Sequence, residues 1–327
     1  MCDKKQIAII AATIFLILAT ACNNADNEKI DIHRFDIAVQ NFAKADSSER
    51  NLLKQEYAPV ILLYVDKIYS GDSLDIDAKL DNFANSPAIN FFRAAVDSAF
   101  SNTDNLAHAL WDEKLLLENK FGIKYPTIYT AIIPYNQSIL LNDSTAIIGL
   151  NHYLGRNYKP YEYFPEYKRY FKIPEKIPFD LCEAILKVNY PYEPKSNTLL
   201  ENMIYEGLIV SAMEETVPEY NDSLCLSFKK QQLEWCIENE KLIWNQLMID
   251  DILFSTSPII KNSLLNPAPF SEPLSQESPG QAGRWIGYRI VEKYSNKTKA
   301  DMVKLLKEKA YQQSQRILID SEYDGQQ

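Results

Sequence analysis

A carboxylate on the inward face of a helix needs a partner, and Glu206 is the clearest case in this chain. Leu199, Met203, Val210 and Met213 recur at helical spacing as one apolar stripe, with Glu206 in its middle. Such a carboxylate is costly to bury unless it is paired or bound to a cation. It is therefore either an ion pair, with Arg284 or Arg289 as the partner, or a metal-binding or catalytic acid. Upstream, residues 182–186 read Cys-Glu-Ala-Ile-Leu. Helix-borne zinc hydrolases use His-Glu-x-x-His at such a place and a Glu ligand one helix later, because positions i and i+4 share a face and the intervening Glu activates water. Glu183 stands where the general base would and Glu206 where the last ligand would. Cys182 and Leu186 stand where the imidazoles belong, and leucine cannot ligate zinc. No metal or other cofactor is expected, and no catalytic residue is assigned. The alternative is an envelope hydrolase in which Glu183 and Glu206, with His152 brought in by the fold, hold a metal or form an acid/base pair.

The remaining inventory excludes more than it offers. There are three histidines, His33, His108 and His152, and nine glycines, with no GxGxxG, GxxxxGK[ST] or GxSxG. Nucleotide cradles and nucleophile elbows are unsupported. Asp72, Asp75, Asp77 and Asp81 lack the glycine and terminal glutamate of a calcium loop and read as a solvated turn. Tyr153 to Tyr170 interleaves aromatic with basic residues, as single-strand nucleic-acid platforms do. The net charge of −10 opposes that partner, so a packed loop or a short lid over a sheet is the expectation. Cys182, Cys225 and Cys236 read as small buried hydrophobes, a Cys225–Cys236 bridge being the less favoured alternative.

The first residues describe an export signal. Lys4-Lys5 precedes the apolar run Ile7 to Leu18, then Ala19-Thr20-Ala21 and Cys22. A charged start, a short apolar core and small residues before a cleavage point form a secretory leader. A cysteine directly after them is the residue a lipoprotein-processing pathway acylates, with palmitate or related chains, and the run is shorter than the ~20 residues of a membrane span. The expected organisation is a signal peptide at 1–21, lipidated Cys22 opening a polar tether at 22–29, one α+β domain at 30–316 and a C-terminal tail at 317–327. Several acyl chains on one residue anchor firmly.

The elements that must position these side chains follow from periodicity. Ile30 to Phe35 alternates like an edge strand, and residues 48–69, 87–99 and 106–120 read as helices. Thr127 to Gly149 is the clearest β signal, broken into strands by Pro134-Tyr135-Asn136 and Asn142-Asp143-Ser144. Helices are expected at Pro178 to Val188, at Thr198 to Glu215 behind a Thr198/Glu201 capping box, and at Lys229 to Ile252, followed by a Pro-rich connector from Pro258 to Pro273. Ser278-Pro279-Gly280-Gln281 reads as the start of a last long helix, on which Gly283 and Gly287 share a face that lets another backbone approach. No internal repeat divides the chain.

Several ordered motifs then stand together: Leu199-Leu-Glu-Asn-Met-Ile-Tyr-Glu-Gly207, Gln232-Leu-Glu-Trp-Cys-Ile-Glu-Asn-Glu240 with Trp244, Phe254-Ser-Thr, and Glu277-Ser-Pro-Gly-Gln-Ala-Gly-Arg-Trp-Ile-Gly-Tyr288. With Arg34-Phe35-Asp36 and Gly149-Leu-Asn-His-Tyr-Leu-Gly155, they resemble the GldB-type gliding-motility lipoproteins. That resemblance implies an outer-membrane lipoprotein of the cell envelope, associated with proteins of a gliding or secretion machinery, and a mainly helical α+β fold with a small mixed sheet, similar to a zincin-like shape without its metal. Glu206, Arg284, Trp285 and Tyr288 fall in its strongest motifs and are the expected binding residues of a pseudoenzyme.

Overall fold

The computed structural model describes residues 28–326; the expected leader, Cys22 and most of the tether lie outside them. The fold is mainly helical α+β with a four-stranded mixed sheet. Strand β1 (Ile32–Arg34) is followed by α1 (Ser47–Glu56), α2 (Ile76–Asn85), α3 (Pro87–Ala99) and α4 (Asp104–Leu116). Then come β2 (Thr127–Ala131), β3 (Ile139–Leu141) and β4 (Thr145–Gly149). The C-terminal half is helical, with α5 (Ile177–Asn189), α6 (Leu199–Glu214), α7 (Lys230–Glu238), α8 (Glu240–Met248), α9 (Ala282–Thr298) and α10 (Ser314–Ser321).

The sheet order is β1-β2-β4-β3, parallel except for the β3–β4 hairpin, so the alternating Ile30 to Phe35 segment is indeed an edge. Asn142 turns that hairpin by accepting the N–H groups of Ser144 and Thr145 at 3.0 and 2.9 Å. β4 is buried along its whole length, which suits its near-continuous apolar run. At the carboxyl ends of β2 and β4, Asn151 accepts the Ile133 N–H and donates to the Ile133 carbonyl, at 2.7 and 2.8 Å. Those two bonds fix the backbone that carries His152.

Expected helix 48–69 is interrupted at Tyr57, because Pro59 lacks the N–H an uninterrupted helix would need there. Expected helix 229–252 is α7 and α8, broken at Asn239, whose side-chain amide donates to the Trp235 carbonyl at 2.9 Å and competes with the helix ladder. The Pro-rich connector itself holds a short helix, Pro258–Leu265. The acidic stretch after Gly71 ends in α2, where Asp75 caps the helix and Asp77 and Asp81 reach Lys54 and Arg50 of α1. Residues 317–327, expected as a tail, instead continue the body as far as they are described: Ile317 and Ser321 are buried, and Tyr323 donates to buried Glu240 at 2.8 Å.

Helix α6 is the central helix. Apart from Asn202, Glu206 and Glu214 its residues are all buried, so the stripe around Glu206 is one side of a helix that is apolar almost all round. Its crossing with α9 is set by glycine. A Cβ at Gly287 would lie 1.9 Å from the Met203 carbonyl oxygen, and one at Gly207 would lie 2.3 Å from that of Gly287. The two backbones touch, and no side chain fits between them. Gly283 approaches a different element, the end of the Pro258–Leu265 helix. Among the described residues no helix is long and apolar enough to cross a membrane.

Candidate functional site

The α6–α9 seam opens, one turn away, into a polar cleft, and α5 closes its other side. Glu183 and Lys187 lie four residues apart on α5 and share a face. Glu206 comes from α6, and Arg284 from the first turn of α9. The expected helix start at Ser278 is displaced, because Gly280 backs onto Ala268 so closely that a Cβ there would meet its carbonyl oxygen at 2.3 Å. The chain turns at that point, Gln281 adopts a left-handed φ of 64°, and α9 begins at Ala282.

These four side chains form one cluster. Lys187 Nζ lies 2.9 Å from Glu183 Oε1 and 2.9 Å from Glu206 Oε1. Arg284 Nη2 lies 3.0 Å from Glu183 Oε2, and its Nε lies 3.5 Å from Glu206 Oε2. Arg289, the other expected partner of Glu206, turns instead to Glu240 at 3.1 Å. Burial alone would push the Glu183 carboxyl up, but Arg284 and then Lys187 outweigh it and hold it below the ordinary carboxylate range. Burial works against both cations, yet Glu183 and then Glu206 raise Lys187 and Arg284 above their ordinary values. The cluster thus sets two carboxylates against two cations. A general acid or base needs a pKa near the working pH, which Glu183 lacks here. Among the described residues no group of three or more His, Cys, Asp or Glu is arranged to hold a metal.

His152 is near the cleft but not in the cluster. The cluster lines a cavity of about 490 Å³, and His152 lines a neighbouring one of about 510 Å³. Lys176, Asp180 and Gln281 are common to both walls. Burial, then the charge of Lys172, lowers the His152 pKa to about 4, so its ring is neutral at pH 7. Trp285 and Tyr288, expected as binding residues, are buried and line neither of these cavities. Tyr288 donates to Glu214 at 3.3 Å, and Trp285 lies under the Arg289 guanidinium. The Tyr153 to Tyr170 segment packs as short helical turns with Tyr161 buried, and its Phe164, Tyr167 and Lys168 form part of the cavity wall. Cys182, Cys225 and Cys236 are free and buried. Cys182, in the place of a zinc-binding imidazole, has its thiol 3.1 Å from the Thr216 hydroxyl.

Sequence reasoning missed Lys187, Lys172, Lys176 and Asp180. The signal for Lys187 was present, since a Glu followed four residues later by Lys is a helical ion-pair spacing. Asp180 follows Lys176 at the same interval. Nothing in the sequence marks Lys172, which reaches the cavity from a turn.

Glu183 of α5 and Glu206 of α6 are joined by Lys187 and by Arg284 of α9, and α6 and α9 carry the motifs around Glu206 and Arg284. The family model described as gliding motility protein GldB matches residues 20–325, nearly the whole chain. The chain belongs to the GldB family. It is accordingly a lipoprotein associated with gliding motility. All four residues of the cluster lie inside the matched span. No curated protein and no solved structure matches the chain.

Proposed function

We propose that this GldB-family lipoprotein is non-enzymatic, and that it serves a gliding or secretion machinery by binding another envelope component in the cleft between α5, α6 and α9. Acylated Cys22 holds it to the outer membrane, and residues 22–29 let the body stand off the lipid surface. The observation that carries this reading is the cluster itself: Lys187 and Arg284 occupy the carboxylate oxygens of Glu183 and Glu206 that a metal or a reacting proton would need. In a zincin-like ancestor those oxygens would face zinc and water. Here the cations take that role, and the protein keeps the shape of an enzyme as a pseudoenzyme.

The test is the metal content and peptidase activity of the protein purified without chelator. The reading expects zinc well below one per chain and no hydrolysis that depends on Glu183. Near-stoichiometric zinc lost in Glu206→Ala, or hydrolysis abolished in a folded Glu183→Gln variant, would establish the hydrolase instead. Cys22→Ala should release the protein from the membrane fraction.

A further inference from the structure

The neighbouring cavity has a charge that the ion-pair cluster does not explain. Among the described residues three lysines, Lys168, Lys172 and Lys176, face it with Asp180 as the single carboxylate, in a chain whose net charge is −10. Lys176 is committed, to the Leu224 carbonyl and to Asp180 at 3.5 Å. Lys172 is not: among the described residues it forms no ion pair, and its hydrogen bond is to His152 Nδ1 at 3.3 Å.

That bond constrains both partners. His152 Nε2 lies 2.9 Å from the Ile133 carbonyl, so Nε2 carries the proton and Nδ1 offers its lone pair to the ammonium. The imidazole is a neutral acceptor that holds Lys172 in place without cancelling its charge. The rings of Tyr161 and Phe164, with centroids 5.2 and 4.9 Å from Nζ, hold it from other sides. Of the three ammonium N–H groups one is used, and a half-buried, immobilised cation at a cavity wall focuses positive potential into it.

We propose that this cavity is a binding site for an anionic ligand, with Lys172 holding its carboxylate or phosphate group and Lys168 at the mouth drawing it in. The aromatic side chains of Tyr153, Phe164, Phe171 and Phe228 on the same wall suit a ring or apolar body attached to that group. Past Lys176 and Asp180 the ligand meets the second cavity, where the four-residue cluster neutralises itself and offers hydrogen bonds rather than net charge. The inference rests on reading the cleft as a place of binding.

The test titrates the full chain in detergent with benzoate, with phenyl phosphate and with neutral benzyl alcohol at constant ionic strength, following the His152 ring nitrogens by NMR. Saturable shifts are expected with benzoate or phenyl phosphate and not with benzyl alcohol; whichever anion binds more tightly identifies the charged group as carboxylate or phosphate. Affinity should fall about tenfold or more in Lys172→Gln, as the loss of a charge-assisted hydrogen bond requires, and by a smaller factor in Lys168→Gln. The exposed Lys168 variant decides the matter if Lys172→Gln does not fold. A His152 that responds to neither anion, equal binding of benzyl alcohol, or affinity unchanged in the lysine variants would overturn the proposal. Those results leave the non-enzymatic reading intact, and that reading fails separately, through Glu183-dependent hydrolysis.

Discussion

Two adjoining helices solve the problem of a buried acid in opposite ways. On α5, which packs against α4, Glu183 shares Lys187 and Arg284 with Glu206 and stays charged. On α4, Glu113 is fully buried with no cation among the described residues, and its contact is the Tyr125 hydroxyl, 3.1 Å from Oε1. Its other oxygen has no hydrogen-bond partner among the described residues, and burial, only partly opposed by Tyr125, pushes its pKa well above the ordinary 4.5. Burial thus favours the protonated form of Glu113, while Arg284 and Lys187 favour the ionised form of Glu183. The difference lies in the cations rather than in depth: the residue that the sequence marks as a would-be catalytic base is the one the fold has neutralised with fixed charges.

That contrast breaks most visibly at Arg284. Arg284→Met leaves two carboxylates at the cleft with Lys187 alone between them, and the expected loss is about 3–5 kcal/mol in denaturant unfolding at pH 7. Lys187→Met is the milder version. Its side chain is 35% exposed, so water screens what remains, and about 1–2 kcal/mol is expected by the same measurement. Equal losses in the two variants would mean that Arg284 is not the dominant partner.

Glu113→Gln sharpens the other side of the comparison. A neutral amide replaces an acid whose charged form burial disfavours and can still accept from Tyr125, so the change at pH 7 is expected in the stabilising direction. The pH profile fixes the sign. Glu113, with its folded pKa raised, contributes stability that is fully present below about 4.5 and lost as pH rises toward its folded value. Relative to wild type, Glu113→Gln should therefore gain stability between pH 4.5 and 7. Glu183, with its folded pKa lowered, contributes stability that is present above 4.5 and lost as pH falls through its folded value. Glu183→Gln should therefore be weaker than wild type at pH 7 and approach it in acid. Slopes of the same sign for the two variants would refute the contrast.

Much of this was legible in the chain, and the misses have local causes. The β segment from Thr127 to Gly149, the helices at 87–99 and Thr198 to Glu215, and the close approach at Gly287 followed from periodicity and turn residues. The capping box formed by half: Thr198 accepts the Glu201 N–H at 3.3 Å, but the Glu201 carboxylate turns back to the N–H groups of Lys195, Ser196 and Asn197. Sequence spacing could not choose between that loop and the helix end. That Glu206 needs a cation was readable, with Arg284 and Arg289 as the two candidates, but the sequence did not choose between them, and the nearest partner is Lys187. Lys187 was readable in principle from i, i+4 spacing. Lys172 and Glu113 were not, since one arrives from a turn and the other hides in a helix whose pattern gives no warning of full burial.

The most direct test of the account is the ionisation of Glu183 itself, followed by carbon-13 NMR of its carboxyl group as pH is lowered and assigned through Glu183→Gln. The cluster predicts a carboxylate still charged below pH 4.5, with the Glu206 signal perturbed in Arg284→Met. A Glu183 that takes up its proton near neutral pH would be poised as a general acid or base, and would contradict the reading of this cleft as a neutralised, non-catalytic site.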